Sequence, residues 1–147
     1  MTPYLAILRE NKLKITPLRK AILEVFQKKQ TAFTAEELWT MIRRHIPGAG
    51  LQSVYRNLAD FVKAGLVEEI FLDKRKAAFA LCNGLATHHH HAVCRCCGRS
   101  EEVDACKLDS MSRLMSRSFQ RLRKRIGFKI ERHFLQLEGL CHDCQKA

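Results

Sequence analysis

The chain of 147 residues contains seven cysteines and seven histidines, and the spacings that could do chemistry are concentrated in its second half. Cys94-x-x-Cys97 and Cys141-x-x-Cys144 are two pairs at the spacing that lets one tight turn offer two sulfurs to a single ion. Four thiolates make a closed tetrahedral zinc site, which adds folding free energy where a small unit needs it. A reversible disulfide pair is the competing reading of the same four residues. Cys96 lies inside the first pair and could stand in for a neighbour, but the x-x spacing selects Cys94 and Cys97. Cys106 has no partner motif and reads as a small apolar core residue. Just before the first pair runs His88-His89-His90-His91. In an extended strand alternate side chains point to opposite faces, so His89 and His91 face one way and His88 and His90 the other. One strand can therefore feed two separate metal sites. The bland alternative, a solvated tract, fits poorly with a position so close to a cysteine pair.

These groups need elements to hold them. Thr2-Pro3 and Thr16-Pro17 each pair an N-cap with proline at the first helical position, and Thr34-Ala35-Glu36-Glu37 is a capping box, so three helices open there. Pro47-Gly48-Ala49-Gly50 is expected to end the third. A fourth follows, with Val54, Leu58, Phe61 and Val62 as its apolar stripe and Gly65 as its stop. Its outward face starts with hydrogen-bonding side chains, Gln52 and Ser53, at the end that recognition helices use. Leu66 to Leu72, a charged turn at residues 73 to 76, and Ala77 to Leu81 read as a two-stranded wing with a basic tip, a solvated turn being an equal alternative. Further on, Leu108, Met111, Met115, Phe119, Leu122 and Ile126 line one side of a helix ended by Gly127, as core or dimer interface. Arg113, Arg117, Arg121 and Arg125 recur beside that stripe and read as a solvated face or a surface near DNA, with the solvated reading preferred. Phe128 to Glu138 alternates as a strand.

A formal charge of +11 attracts polyanions, and nucleic acid is the first partner to consider. The first dozen residues lack the apolar core of a secretion signal, and no stretch approaches a membrane span, so a cytoplasmic protein without membrane contact is expected. In that compartment seven cysteines point to metal or redox chemistry rather than permanent disulfides.

The stretch Gly50-Leu51-Gln52-Ser53-Val54-Tyr55-Arg56-Asn57-Leu58, followed by Ala64-Gly65-Leu66-Val67, resembles the recognition helix of the ferric uptake regulator family. So does Leu13-Lys14-Ile15-Thr16-Pro17-Leu18-Arg19, and the resemblance continues through His88-His89-x-His91-x-x-Cys94-x-x-Cys97-Gly98 and His133 to Cys141-x-x-Cys144. It implies an α+β protein: a winged-helix DNA-binding domain over residues 1–81, a hinge at 82–87, and a small α/β dimerisation domain with structural zinc over 88–147. By the same resemblance Tyr55 touches a thymine methyl, Arg56 a base edge or phosphate, and Lys14 with Arg19 the DNA backbone or minor groove. His89, His91 and Glu102 match the family's regulatory metal positions, and His88, His90, Asp109 and His133 match an accessory, third site.

Two departures bear on the branch. Iron- and peroxide-sensing members carry a histidine between the second and third helices, but Gln30-Thr31-Ala32-Phe33-Thr34 has none, and Ala80 replaces an acidic residue near the end of the wing. Cys82 stands where zinc uptake regulators have a ligand cysteine, and Glu68 occupies another ligand position of those members. Glu68, Glu69 and Glu102 compete to complete the set. Thiolate with imidazole and carboxylate suits zinc better than ferrous iron. The expectation is thus a zinc-responsive repressor, a homodimer that binds a palindromic operator in double-stranded DNA and has no small-molecule substrate; an iron- or other-metal-responsive relative is the alternative. A zinc hydrolase with Glu102 as general base is a distant rival, because no substrate pocket is recognisable and Cys82 leaves no place for a reacting water. A zinc buffer would explain the ligands but not the helix that begins near Gln52.

Overall fold

The computed structural model describes residues 3–72, 76–82, 90–103, 109–130 and 135–146. Four helices come first: α1 (Pro3–Glu10), α2 (Pro17–Lys29), α3 (Ala35–Ile42) and α4 (Leu51–Lys63). The caps read from the sequence set their starts. Thr16 accepts from the Arg19 amide at 3.3 Å with Pro17 at the first position, and Thr34 and Glu37 complete a reciprocal box at 3.3 and 2.8 Å. Each such cap contributes about 1 kcal/mol by giving an orphan N–H an acceptor. Thr2, the expected cap of the first helix, lies outside the described residues. The third helix ends earlier than the Pro47 break. It stops at Ile42, after which the His45 and Ile46 amides both fold back on the Ile42 carbonyl at 2.9 Å. Gly65 takes φ +68° just past α4, a left-handed turn that a side chain would strain.

The wing follows as an antiparallel pair, β1 (Val67–Leu72) and β2 (Lys76–Leu81), in register from Val67↔Leu81 to Leu72↔Lys76. Leu8, Ile22, Phe26, Leu38, Ile42, Val54, Leu58 and Phe61 are almost fully buried with Leu66 and Val67, so helices and wing share one core. Truncating one of its large side chains to alanine costs about 2–5 kcal/mol. That core fixes which face of α4 turns outward.

In the second part, β3 (His90–Cys94) is the central strand, antiparallel to β4 (Ser100–Val103) and parallel to β5 (Gln136–Gly139). The long helix α5 (Asp109–Ile126) runs between the sheet's strands in sequence and α6 (His142–Gln145) closes the described chain. Gly127 has φ +68° and stops α5 as expected. The strand expected over Phe128 to Glu138 is shorter: residues 127–130 carry no regular structure, 131–134 lie outside the described residues, and the ladder with β3 covers Gln136–Gly139. A strand needs a neighbour's backbone groups, and among the described residues of this stretch it is Gln136–Gly139 that pairs with β3. The protein is α+β, as the sequence implies.

Backbone bonds join the two parts. Ala32 donates to the Gly98 carbonyl at 3.0 Å and Thr31 bridges Arg99, while Phe33 bridges Phe79 within the helix–wing part. A second buried cluster, Ala32, Ile70, Ala78, Ala80 and Val93, lies at this seam. Its residues are mostly small, so the wing and β3 approach closely but bury little apolar area.

Candidate metal centres and nucleic-acid interface

Cys94 ends β3, Cys97 sits in the turn after it, Cys141 caps α6 and Cys144 lies inside α6. One sulfur from each of the four lies within 4.8 Å of all the others. Cys97 Sγ and Cys141 Sγ are 3.7 Å apart. With zinc–sulfur bonds of about 2.3 Å, the edge of a regular tetrahedron is about 3.8 Å, so this spacing matches a shared ion and is far from a disulfide bond of about 2.05 Å. Backbone amides complete the geometry. The Cys141 N–H donates to Cys94 Sγ at 3.3 Å, and amides of Cys141 and Cys97 together hold the Cys94 thiol down to about 6. The thiols of Cys141, Cys96 and Cys97 around Cys144 push it well above the ordinary thiol range. Four sulfurs this close ionise together only around a cation. Cys96 is exposed on the same turn, and Cys106 lies outside the described residues.

The second cluster is assembled from separate strands. Cys82 follows β2, His91 is on β3, and Glu102 is its register partner on β4; one ligand atom from each lies within 4.8 Å of the others. Cys82 is 6 % and His91 1 % exposed. Glu68, on β1, brings Oε2 to 3.0 Å from His91 Nε2, at the edge of the three-residue set. Burial first, then the negative charges of Glu68 and Glu102, push the Cys82 thiol up to about 12. A buried sulfur and a buried imidazole beside carboxylates are a donor set that a divalent cation would satisfy. Tyr4 of α1 also faces this cluster: burial, then Glu102 and Cys82, raise its hydroxyl above the ordinary range. Sequence reasoning missed Tyr4, because a tyrosine in a short amphipathic helix carries no signal beyond packing.

Of the remaining expected ligands, His88, His89 and His133 lie outside the described residues. Asp109 opens α5, and His90, 1 % exposed, points to the opposite face of β3 from His91. Glu101 is exposed on β4, whereas Glu102 is half-buried and lies with Cys82 and His91.

A third contact between the two parts uses no ligand chemistry. Gln136, the register partner of His91 on β5, turns its side-chain amide to the wing: Nε2 donates to the Phe71 carbonyl at 2.7 Å and Oε1 accepts from the Phe71 N–H at 3.0 Å. The amide thus mimics one rung of a β-ladder. Glu138 Oε1 accepts from the same Nε2 at 2.8 Å and orients it.

On the other side of the wing, α4 buries Val54, Leu58 and Phe61 and leaves Gln52, Tyr55 and Arg56 exposed, with Ser53 half-buried. Its N-cap is Gly50, which has no side chain to occupy the first amides. Arg56 reaches back to Ser53 Oγ at 3.4 Å. The Tyr55 hydroxyl donates to Glu36 of α3 at 2.6 Å, a bond that pulls Glu36 below the usual carboxylate range and pushes Tyr55 above the usual phenol range. Lys14 is exposed. Arg19 is used differently from an open phosphate contact: it is 13 % exposed, with Nη2 on Asp60 at 2.7 Å, Nε on Asn57 Oδ1 at 2.8 Å and Nη1 on the Lys14 carbonyl at 2.7 Å. It clamps α2 to α4 and so sets the presentation of the outward face. No described helix is long and apolar enough to cross a membrane.

Comparison with known proteins agrees with this arrangement. Residues 10–138 match the model of the ferric uptake regulator family. The peroxide operon regulator of Bacillus subtilis is 30 % identical over 142 residues, covering 97 % of this chain and 91 % of that protein. The ferric uptake regulation protein of Cupriavidus metallidurans is 34 % identical over 145 residues, covering 97 % and 95 %. Among solved structures, the Vibrio cholerae ferric uptake regulator is 30 % identical with a TM-score of 0.56, covering 91 % of this chain and 96 % of that one. A zinc uptake regulator complexed with zinc and DNA shares the fold at a TM-score of 0.75 with 22 % identity, covering 97 % and 91 %. The family's members are transcription regulators rather than enzymes, and they bind DNA as dimers. With a helix–wing unit, one cluster of ligand-type side chains in the following sheet and another where sheet and wing meet, and a family match over most of its length, the chain belongs to the ferric uptake regulator family of metal-responsive transcriptional regulators.

Proposed function

We propose that this chain is a zinc-responsive transcriptional repressor that binds a palindromic operator as a metal-loaded homodimer, with a DNA-binding domain over residues 1–81, a hinge at 82–87 and a dimerisation domain over 88–147. One observation carries the choice of effector: a buried cysteine, Cys82, at the end of the wing converges with His91 and Glu102 of the following sheet. A bound divalent cation would supply charge that lets Cys82, His91 and the nearby carboxylates share one small space. Thiolate favours zinc over ferrous iron at such a position, although relatives named for iron and peroxide regulation match the chain as well.

In this reading Glu68 belongs to the DNA-binding unit, Cys82 is the hinge residue that directly follows that unit, and His91 and Glu102 belong to the dimerisation unit, with His89 as a further ligand. Their convergence selects one angle between the units and hence one separation of the two recognition helices in the dimer. Gln52, Ser53, Tyr55 and Arg56 then meet successive major grooves of a two-fold symmetric site, with Lys14 on the backbone and Arg19 holding α4. Cys94, Cys97, Cys141 and Cys144 hold a permanent structural zinc. His88, His90, Asp109 and His133 form the accessory site. A ligand shifts an equilibrium only by its differential affinity, and a hundredfold change in operator affinity corresponds to about 2.7 kcal/mol, within the usual range for coupled sites.

The test is operator selection from random duplex DNA, followed by titration of the chelator-treated dimer with zinc, iron or manganese. Zinc is expected to raise affinity for the selected palindrome about a hundredfold, and Cys82→Ala to abolish that response while leaving the dimer and its structural zinc intact. Restoration by iron alone, or a normal zinc response in Cys82→Ala, would overturn the assignment.

A further inference from the structure

The helix α5 carries a charge pattern that the metal sites and the recognition helix leave unused. At about 100° per residue, Arg113, Arg117, Arg121, Lys124 and Arg125 fall within an arc of about 120°. Met115, Phe119, Leu122 and Ile126 fall in a separate arc of about 60° whose centre is about 150° away. Leu122 and Ile126 are 36 % and 60 % exposed in the single chain, as expected of a stripe that a second copy covers in the dimer. Covering that stripe turns the basic arc away from the partner. All five basic side chains are exposed, and Arg117, Arg121, Lys124 and Arg125 form no ion pair among the described residues. Arginines four residues apart are raised about 6 Å from one another, so the arc is a rod of positive charge about 18 Å long. Clustered like charges repel, and on a structural helix they would ordinarily alternate with carboxylates.

We infer that the basic arc of α5 is a second, sequence-independent surface for the phosphate backbone of duplex DNA, one on each protomer and separate from the recognition helices. A uniform polyanion is the partner whose charge matches such a rod, since duplex DNA carries one negative charge per about 1.7 Å. Exposed arginines suit it, because guanidinium groups bond phosphate oxygens in pairs. A dimer with reading heads on one domain and basic arcs on the other can hold two segments of DNA at once. The inference goes beyond the proposed repressor function and does not depend on which ion is sensed.

The experiment uses the full-length, metal-loaded dimer with a short duplex of unrelated sequence. Affinity is measured by fluorescence anisotropy across a salt series, and bridging by capture of a labelled second duplex on protein already bound to an immobilised operator. Replacing Arg117, Arg121 and Arg125 together by glutamine is expected to lower the salt slope by about 3 for each helix engaged and to abolish bridging, with operator affinity at the recognition helices retained. Replacing the same three by lysine is expected to restore both. Arg56→Ala is expected to lose operator preference and keep the α5-dependent slope. The inference is overturned if the glutamine variant keeps the wild-type slope and bridging, if lysine fails to restore them, or if the variant loses retention on phosphatidylserine vesicles while its DNA binding is unchanged.

Discussion

The two cysteine-containing clusters differ in how the chain delivers their ligands, and that difference separates a staple from a sensor. Cys94 with Cys97 and Cys141 with Cys144 arrive as two preformed pairs, each from a single tight turn, so only two segments of the same small unit have to meet. Cys82, His91 and Glu102 arrive singly from the ends or middles of different strands, with Glu68 on yet another. The β3–β4 hairpin already pairs His91 with Glu102, but Cys82 and Glu68 join them only when wing and sheet are docked. The first arrangement adds stability whatever the angle between the units. The second has an affinity that depends on that angle, and by linkage an occupant biases the angle in return.

The largest effect comes from breaking the staple. Cys141→Ser removes one of the four sulfurs and keeps the backbone amide that donates to Cys94. Structural zinc contributes apparent free energies of about 10–16 kcal/mol in small zinc-dependent units, as much as or more than the whole stability of an ordinary domain. The variant is expected to lose its tightly held zinc and its dimer together, read by native mass spectrometry, with residues 1–81 still giving a cooperative helical transition on heating. A dimer of wild-type mass that lacks this zinc would show that the cluster is not a staple.

A smaller effect distinguishes the clusters by their protons. Cys94, at about 6, is already ionised at neutral pH, whereas Cys82, at about 12, holds its proton until a cation replaces it. The signs are opposite. The lowered Cys94 thiol contributes stability that is present above its unfolded value near 9 and is lost as pH falls through about 6. The raised Cys82 thiol contributes stability that is complete below about 9 and is lost as pH climbs toward about 12. Zinc binding at the second cluster should therefore release about one more proton in the wild type than in Cys82→Ala, and tighten about tenfold per pH unit on that account. Calorimetry in buffers of different ionisation enthalpy counts the protons; equal counts for the two proteins would remove Cys82 from the site.

Much of this was legible from the sequence, for identifiable reasons. Helix starts were legible because Thr16-Pro17 and Thr34-x-x-Glu37 act locally, and the four-cysteine cluster because each pair carries its geometry in its spacing. His91 and Glu102 were placed in one set by the family resemblance rather than by any local pattern, and the β3–β4 register makes them partners. The short β5 was misjudged in length, because periodicity marks what a segment can pair with and says nothing of whether a neighbour lies alongside. Arg19 carried a basic residue's expectation into a position where Asp60 and Asn57, some forty residues later, claim its donors. Tyr4 and Gln136 were invisible for the same reason: their partners are set by how the two units meet, a non-local relation with no periodic trace.

Gln136 supplies the finest test of the contrast, since it joins the same two units as the second cluster but without an ion. Its amide makes two hydrogen bonds to the Phe71 backbone on an exposed edge of the wing, each contributing about 0.5–1.5 kcal/mol at most. Gln136→Ala is expected to speed amide exchange at Phe71 by about tenfold and to weaken zinc binding at the Cys82 cluster by a similar factor, because the undocked state gains population while the ligands stay intact. Gln136→Glu keeps an acceptor for the Phe71 N–H, loses the donor to its carbonyl and places a charge beside Glu138, so it should behave no better than alanine. Zinc at the four-sulfur cluster should be indifferent to both changes, as its ligands do not cross the seam. If exchange at Phe71 accelerates and zinc affinity at the Cys82 cluster does not move, docking of the wing and occupancy of that cluster are uncoupled, and the sensor would have to act through some other joint.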